Sequence, residues 1–280
     1  MNTYWPIYIN LEKELSKLIE YIYIDDTQLT VYSPKISDLI LRTCVEIESI
    51  CKAIYNKNFN PKKESTDGLK FDYDILDKYL IPNWDLDKKI VMLSAINCYQ
   101  TIKTFYPFQK NEISANKKNI FSWNNAYQNI KHNREQGMKP YGTIKYLFEA
   151  MAALYVLNLY YRNDEFLNLS EIDIKKIPPN MGSSFFSVNI CGVGIFEILT
   201  GNQKKDENFD QSIYCPISTS EFSQICKNFG ANFELELNKI ASDNSCEKTE
   251  LDILKELLSK NPIPWDKNKF DLVLNKKQLN

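Results

Sequence analysis

One stretch, residues 143–161, constrains the fold of this chain more than any other. Its sequence, TIKYLFEAMAALYVLNLYY, is apolar nearly all round a helix and not on one face alone. A helix without a polar side has to be surrounded by other elements of the protein. The stretch is short for a membrane span and carries Glu149. It therefore predicts a buried helix at the centre of a helical bundle.

Several neighbouring stretches carry apolar residues at helical spacing and predict the other members of the bundle. Ser33 and Pro34 suit an N-cap and a first helical position, so they predict where one of these helices begins. Gly137 and Pro140 predict where another one ends. We expect the later helices to pack in one up-and-down arrangement, after an early helix within 4–24. The predicted later helices cover residues 33–57, 87–105, 123–135 and 143–161.

The sequence pattern changes after KKIPPNMG at 175–182, which predicts a boundary or a long turn. Apolar and polar residues alternate within 184–199, and 212–218 adds a second candidate strand. Residues 184–217 are therefore expected to contain at least two antiparallel strands. Ser218 and Glu221 form a capping box before a helix near 219–228, and a further amphipathic helix is expected at 249–260. The last twenty residues, which include Trp265, are expected to be irregular.

These patterns predict a mainly α protein with two parts. Residues 1–165 form the helical bundle, and residues 180–280 form a smaller α+β segment whose role the sequence does not indicate. At 280 residues the chain is long enough for two modest cores.

Composition and motif spacing argue against several classes of function. The net charge of −2 lacks the excess of Lys and Arg that is typical of proteins binding long duplex DNA, although it leaves a local basic patch open. The seven cysteines include no CxxC pair and could recruit one histidine at most, so we expect reduced thiols and no metal site. The Gly192 and Gly194 pair lacks the third glycine of a dinucleotide-binding motif, and we expect no cofactor. The N-terminus shows no signal peptide, so we expect a cytoplasmic protein without membrane attachment.

The sole histidine, His132, lies in the segment WNNAYQNIKHNRE at 123–135. At helical spacing, Asn125, Asn129 and His132 fall on one narrow stripe. Histidine titrates near neutrality and can transfer a proton between a ribose hydroxyl and a leaving oxygen. The alternative, favoured on the residues alone, is a solvated polar face without any catalytic role.

The opposite stripe of the same segment carries Trp123, Tyr127 and Ile130, and helical spacing adds Arg134 to it. This stripe is expected to pack inward. Arg134 then has two possible roles. It could hold a phosphate together with Lys131, or it could stack on Trp123 or pair with a buried acid such as Glu46.

Three sequence segments resemble a group of bacterial proteins of the HEPN superfamily. WNNAYQNIKHNRE and the apolar helix ending in VLNLYY resemble the last two core helices of that group, and LRTCVEIESICKAI at 41–54 resembles a preceding one. The resemblance covers about residues 35–162. It implies a bundle of four or five helices, a homodimer, and metal-independent RNA cleavage in toxin–antitoxin or phage-defence systems.

The catalytic motif of the family is an arginine followed, after four to six residues, by a histidine. His132 matches the histidine, but the positions for the arginine hold Asn125, Ala126 and Tyr127. The resemblance therefore implies two hypotheses. The chain is either a non-catalytic module that binds RNA, a nucleotide or a protein partner, or a toxin-like endoribonuclease. The candidate catalytic residues are His132, Asn125 and Asn129, and the candidate binding residues are Lys131, Arg134, Arg42 and Glu46.

Overall fold

A computed structural model describes residues 3–93, 102–113, 118–163, 178–191, 208–242, 249–260, 262–263 and 270–277. Within these residues the protein is mainly helical, with small antiparallel sheets.

The first two helices begin close to where the sequence predicts them. Helix α1 spans Tyr4–Ile19, and helix α2 spans Pro34–Asn58 after a short 3₁₀ turn at Asp26–Thr30. Ser33 caps α2, because its hydroxyl accepts a hydrogen bond from the backbone N–H of Ile36 at 3.1 Å. The predicted helix at 33–57 is thus confirmed to within a residue at each end.

The helix predicted at 87–105 is wrong wherever the structure describes it. Residues Leu86–Lys88 form a single 3₁₀ turn, and strands follow at Val91–Leu93 and Lys103–Phe105, while 94–101 lie outside the described residues. A short apolar run such as IVML fits a buried strand as well as a buried helix. Helical structure occurs earlier, in a π-helix at Phe71–Leu80 and a short helix α3 at Ile81–Trp84.

The first sheet draws strands from distant parts of the chain. Strands β1 (Val91–Leu93) and β2 (Lys103–Phe105) pair antiparallel, and β3 (Asn111–Ile113) pairs with β4 (Lys118–Ile120) in a separate hairpin. A further strand, β5 (Phe186–Val188), adds to the other side of β1. Strand β1 thus has a neighbour on both edges. Its strand conformation is stabilised by pairing with β5, a distant segment that local sequence patterns do not reveal.

The segment predicted as one helix at 123–135 forms parts of two. Helix α4 spans Ser122–His132 and helix α5 spans Arg134–Tyr141, with Asn133 in a non-helical conformation between them. Gly137 and Pro140, which were expected to end the helix, both lie inside α5.

Helix α6, Ile144–Arg162, occupies the centre of the bundle as predicted, since nearly every residue from Ile144 to Tyr160 is buried. It runs parallel to α2, its main partner. The two helices start beside the bridge between Tyr32 and Thr143, and near their ends Lys57 Nζ donates to the carbonyl of Tyr161 at 3.3 Å. The up-and-down arrangement is therefore wrong for this pair.

The C-terminal segment contains the predicted strands and helices, but among the described residues the strands within 184–217 do not form the expected antiparallel pair. Strand β6 (Tyr214–Ser218) pairs antiparallel with β7 (Phe270–Leu274), in the region expected to be irregular. A single parallel bridge, Ile190 to Tyr214, links the end of β5 to β6. Residues 192–199 and Trp265 lie outside the described residues. The two helices predicted near 219–228 and 249–260 are α7 (Ser220–Ser242) and α8 (Glu250–Lys260).

Residues from both sides of the predicted boundary contribute to the main core. Phe186, Tyr214 and Leu272 belong to the same buried cluster as the residues of α2 and α6. The hydroxyl of Tyr160 donates to the carbonyl of Asn275 at 2.7 Å, which ties α6 to the end of β7. Helix α7 contributes Phe222, Cys226 and Phe229 to a second, smaller cluster. Ile263, which follows α8, belongs to it too, and Leu254, Leu257 and Leu258 of α8 pack against it.

Candidate functional site

Helix α4 carries the predicted site, and its aromatic face fixes its orientation. Trp123, Tyr127 and Ile130 are buried, which confirms the inward face expected from the sequence. Trp123 Nε1 donates to the carbonyl of Pro107 at 2.7 Å. Asn124 Nδ2 donates to the Asp72 carboxylate at 2.9 Å. These contacts hold one side of α4 against the core, so the opposite side points outward.

The outward side of α4 carries Asn125, Asn129 and His132. Asn129 Nδ2 donates to the backbone carbonyl of Asn125 at 2.8 Å and to its side-chain oxygen at 3.0 Å. The two amides, both half-buried, are thus joined to each other within the helix. His132 is exposed at the last position of α4. Within the described part of the chain, its imidazole has neither a hydrogen bond nor an ion pair.

The junction between α4 and α5 depends on a glycine. A Cβ atom at Gly137 would lie 2.7 Å from the carbonyl oxygen of Asn129, a distance at which atoms clash. The backbone N–H of Asn133 donates to the Asn129 carbonyl at 2.9 Å, and the N–H of Gly137 donates to the Asn133 carbonyl at 2.7 Å. The chain can therefore turn sharply after His132 and bring α5 back against the end of α4.

This turn corrects the expectation for Arg134. A continuous helix would have placed Arg134 on the aromatic face beside Trp123, but α4 ends before it, and Arg134 begins α5 as an exposed residue. No ion pair or ring contact holds its guanidinium among the described residues, so the predicted stacking on Trp123 and the predicted pairing with Glu46 are wrong. Sequence spacing missed this because helical periodicity carries no information about where the helix stops.

Three exposed basic side chains consequently lie close together in sequence where α4 ends and α5 begins. They are Lys131, His132 and Arg134, and we call this site the α4–α5 junction. The ammonium of Lys131 lies 5.3 Å from the centre of the Tyr127 ring, within the range of a cation–π contact. That contact restrains the lysine stem without occupying its hydrogen-bond donors. The junction can therefore offer several N–H donors to an anion.

The two remaining candidates lie on α2. Arg42 Nη1 is 3.9 Å from the Asp38 carboxylate, so its ion-pair partner is Asp38, one turn earlier on the same helix. Burial raises the pKa of the half-buried Glu46 carboxyl, and the charge of Arg42 opposes that rise. A second ion pair on this helix joins Lys52 and Glu48, whose charged atoms are 2.9 Å apart.

Arg42 also lies at the edge of an open cleft between α1 and α2 that the sequence did not reveal. The cleft has a volume of about 650 Å³. The helical spacing of Lys13 and Lys17 in LEKELSK could have indicated a basic edge on α1. That Arg42 lies on the same cleft depends on how α1 and α2 pack against each other. The residues lining the cleft are Asn10, Lys13, Glu14, Ser16, Lys17 and Arg42.

The described residues include no group of three or more His, Cys, Asp or Glu side chains that could hold a metal ion. Across the same residues, the structure contains no helix with the length and apolar character needed to cross a membrane. Cys44, Cys51 and Cys226 are buried thiols, and burial raises the pKa of each. Cys98 and Cys246 lie outside the described residues.

Comparisons of the whole chain with protein-family models, with curated proteins and with solved structures gave no match in any of the three.

Proposed function

We propose that this chain is a HEPN-like, non-catalytic protein that binds RNA or a nucleotide through the α4–α5 junction. The observation that carries the proposal is the exposure of Lys131, His132 and Arg134 within four consecutive residues. Lysine and arginine side chains are the usual contacts to phosphate oxygens, and arginine can make two parallel hydrogen bonds to one phosphate.

The geometry of α4 supports binding without cleavage. Acid–base catalysis by histidine is most effective when a third group orients the imidazole and a positive charge stabilises the phosphate. Asn125, at one position where the HEPN motif has arginine, uses its side-chain oxygen to accept from Asn129. It brings no charge, and His132 has no orienting partner within the described residues. A role in cytoplasmic stress response or phage defence follows from the HEPN resemblance and belongs to the same proposal.

RNA binding by the purified protein tests this function directly. Fluorescence anisotropy with a labelled single-stranded RNA should give a saturable signal whose affinity falls with rising salt. The double variant Lys131→Gln/Arg134→Gln should weaken binding about tenfold or more, because charged hydrogen bonds to phosphate are lost.

A matched control removes the same charge elsewhere. The variant Lys227→Gln/Lys255→Gln changes two exposed lysines of α7 and α8 and should bind RNA like the wild type. Equal loss of affinity in both double variants would mean that net charge alone governs binding, and the α4–α5 junction would then have no special role.

The alternative is an active toxin-like ribonuclease, and the exposed imidazole of His132 is the observation that favours it. An active HEPN pair would bring two copies of the face formed by Asn125, Asn129 and His132 into one cleft. We propose the homodimer for both alternatives. Light scattering of the eluted protein measures its mass, and a monomer at micromolar concentration would contradict the dimer.

A further inference from the structure

The cleft between α1 and α2 concentrates positive charge in a protein whose net charge is −2. Lys13 and Lys17 line it from α1, and Arg42 lines it from α2. Lys35 lies beside it, because its ammonium is 2.6 Å from the Glu14 carboxylate. A volume of about 650 Å³ falls within the range of small-molecule sites.

The negative charge of Glu14 is engaged by two lysines, so the carboxylate positions these lysines more than it repels an anionic ligand. One of its oxygens accepts from Lys35 at 2.6 Å and the other accepts from Lys17 at 3.0 Å. These hydrogen bonds, that from Lys35 first, lower the pKa of Glu14 to about 2. The carboxylate is therefore ionised at neutral pH, and it holds two ammonium groups at the edge of the cleft.

Arg42 and Lys13, the other two cations, make weaker contacts with carboxylates or none among the described residues. Arg42 lies 3.9 Å from Asp38, well beyond the length of about 2.8 Å typical of a charge-assisted hydrogen bond. Lys13 is exposed and has no hydrogen bond or ion pair within the part of the chain that the structure describes. Lys13, Lys17 and Arg42 line the cleft together with one carboxylate, Glu14, so the lining is net positive and suits an anion.

We propose that the α1–α2 cleft binds phosphate groups, with Lys13 and Arg42 as the direct contacts and Lys17 and Lys35 as supporting charges. None of these residues belongs to the α4–α5 junction, so the cleft is a separate site and does not depend on the function proposed for that junction. The phosphate can come from a small molecule with a terminal phosphate or from the backbone of RNA.

Two probes distinguish these sources. Isothermal titration calorimetry with tripolyphosphate measures binding of a small phosphate ligand in the absence of RNA. Fluorescence anisotropy with a single-stranded RNA of about twelve nucleotides and no terminal phosphate measures binding of the backbone. Each probe is applied to the full chain, to Lys13→Gln/Arg42→Gln, and to the matched control Lys227→Gln/Lys255→Gln. Circular dichroism melting of each variant confirms that it is folded.

The cleft variant should bind at least one of the probes about tenfold more weakly than the wild type, while the control binds both normally. Loss of tripolyphosphate binding identifies a small-molecule phosphate site, and loss of RNA binding alone identifies a backbone contact. The proposal is overturned if the wild type binds neither probe, if the cleft variant binds both like the wild type, or if the control loses as much. Because tripolyphosphate binding is measured without RNA, failure of RNA binding at the α4–α5 junction leaves that arm of the test intact.

Discussion

His132 ends helix α4, and its surroundings bear on whether the α4–α5 junction would bind RNA or cleave it. Its side chain is exposed, its neighbours Lys131 and Arg134 are exposed cations, and the asparagines on the same face hydrogen-bond each other. These features favour recognition of an anion. Within the described residues they do not include a partner that would orient the imidazole for proton transfer to a phosphate ester.

An RNA cleavage assay distinguishes a protein that only binds RNA from one that also cuts it. We expect the purified protein to leave single-stranded RNA intact from about pH 5 to about pH 9, with and without EDTA. If the RNA is cut, His132→Ala should reduce the rate by about 10²–10⁴, the usual contribution of a general acid or base. Cleavage that is lost in this variant while helical circular dichroism is unchanged would establish the ribonuclease alternative.

Lys89 is a second residue whose environment has a measurable consequence. It is 1% exposed, and its ammonium donates to the carbonyl of Asp210 at 2.9 Å. Burial lowers the pKa of Lys89 from 10.5 to about 8. The unfolded chain therefore binds more protons than the folded one between these values. The contribution of Lys89 to stability is unfavourable below about pH 8 and improves as the pH rises towards 10.5.

We expect Lys89→Met to abolish this dependence. From about pH 7.5 to about pH 9.5, the free energy of unfolding of the wild type should rise by about 2 kcal/mol relative to that of the variant. Urea unfolding of both proteins at the two pH values measures it. The raised pKa values of the buried cysteines change the free energy of unfolding with pH in the opposite direction. This contribution is the same in both proteins, so it cancels when the two are compared. A constant difference between the two proteins would mean that Lys89 has an ordinary pKa.

The α4–α5 junction is the element on which the candidate site depends. Helical periodicity correctly predicted the buried face of α4, because Trp123, Tyr127 and Ile130 recur at helical spacing. It could not predict the turn after His132. That turn requires the close approach of α5 to the Asn129 carbonyl, a contact between two elements that no local pattern encodes.

Gly137→Ala tests that approach. Alanine is the better helix former by about 1 kcal/mol, so a glycine without a packing role would make this change stabilising. Because the added Cβ would lie 2.7 Å from the Asn129 oxygen, we expect a loss of about 1–3 kcal/mol instead. Chemical denaturation measures the change. The control is Lys139 of the same helix, which is exposed and has no hydrogen bond or ion pair within the described residues, since Lys139→Ala should alter stability by less than about 0.5 kcal/mol.

At the scale of the whole molecule, one buried carboxylate joins the N-terminal helix to the C-terminal segment. Glu12 is 1% exposed and accepts from the Tyr8 hydroxyl at 2.5 Å, from the backbone N–H of Ser184 at 3.0 Å, and from the Ser183 hydroxyl. Ser183 in turn accepts from the backbone N–H of Phe186, the first residue of β5. The start of β5 is thereby held against α1.

We expect Glu12→Ala to lower the free energy of unfolding by about 3 kcal/mol, since buried hydroxyl and amide donors lose a charged acceptor. Glu20→Ala, a change of an exposed carboxylate just after α1, is the matched control and should have little effect. Comparable losses in the two variants would show that Glu12 does not connect the two parts of the chain.

The sequence alone predicted those elements in which the spacing of apolar residues shows which sides are buried. Residues 143–161 are apolar on all sides, so no position outside the centre of the bundle would have satisfied them, and α6 lies there. The Ser33 cap and the amphipathic spacing likewise predicted α2. The residues of the α4–α5 junction stood out because His132 is the sole histidine, but helical periodicity placed Arg134 on the wrong face.

Tertiary structure decided what depends on contacts between distant segments. Residues 91–93 are a strand because β2 and β5 flank them, and 270–274 are a strand because β6 pairs with them. The basic cleft forms because α1 lies antiparallel beside α2, as the contacts of Tyr4 with Ser49 and of Glu14 with Lys35 show. A short segment has nearly equal propensity for several conformations, so the free energy of long-range packing selects among them.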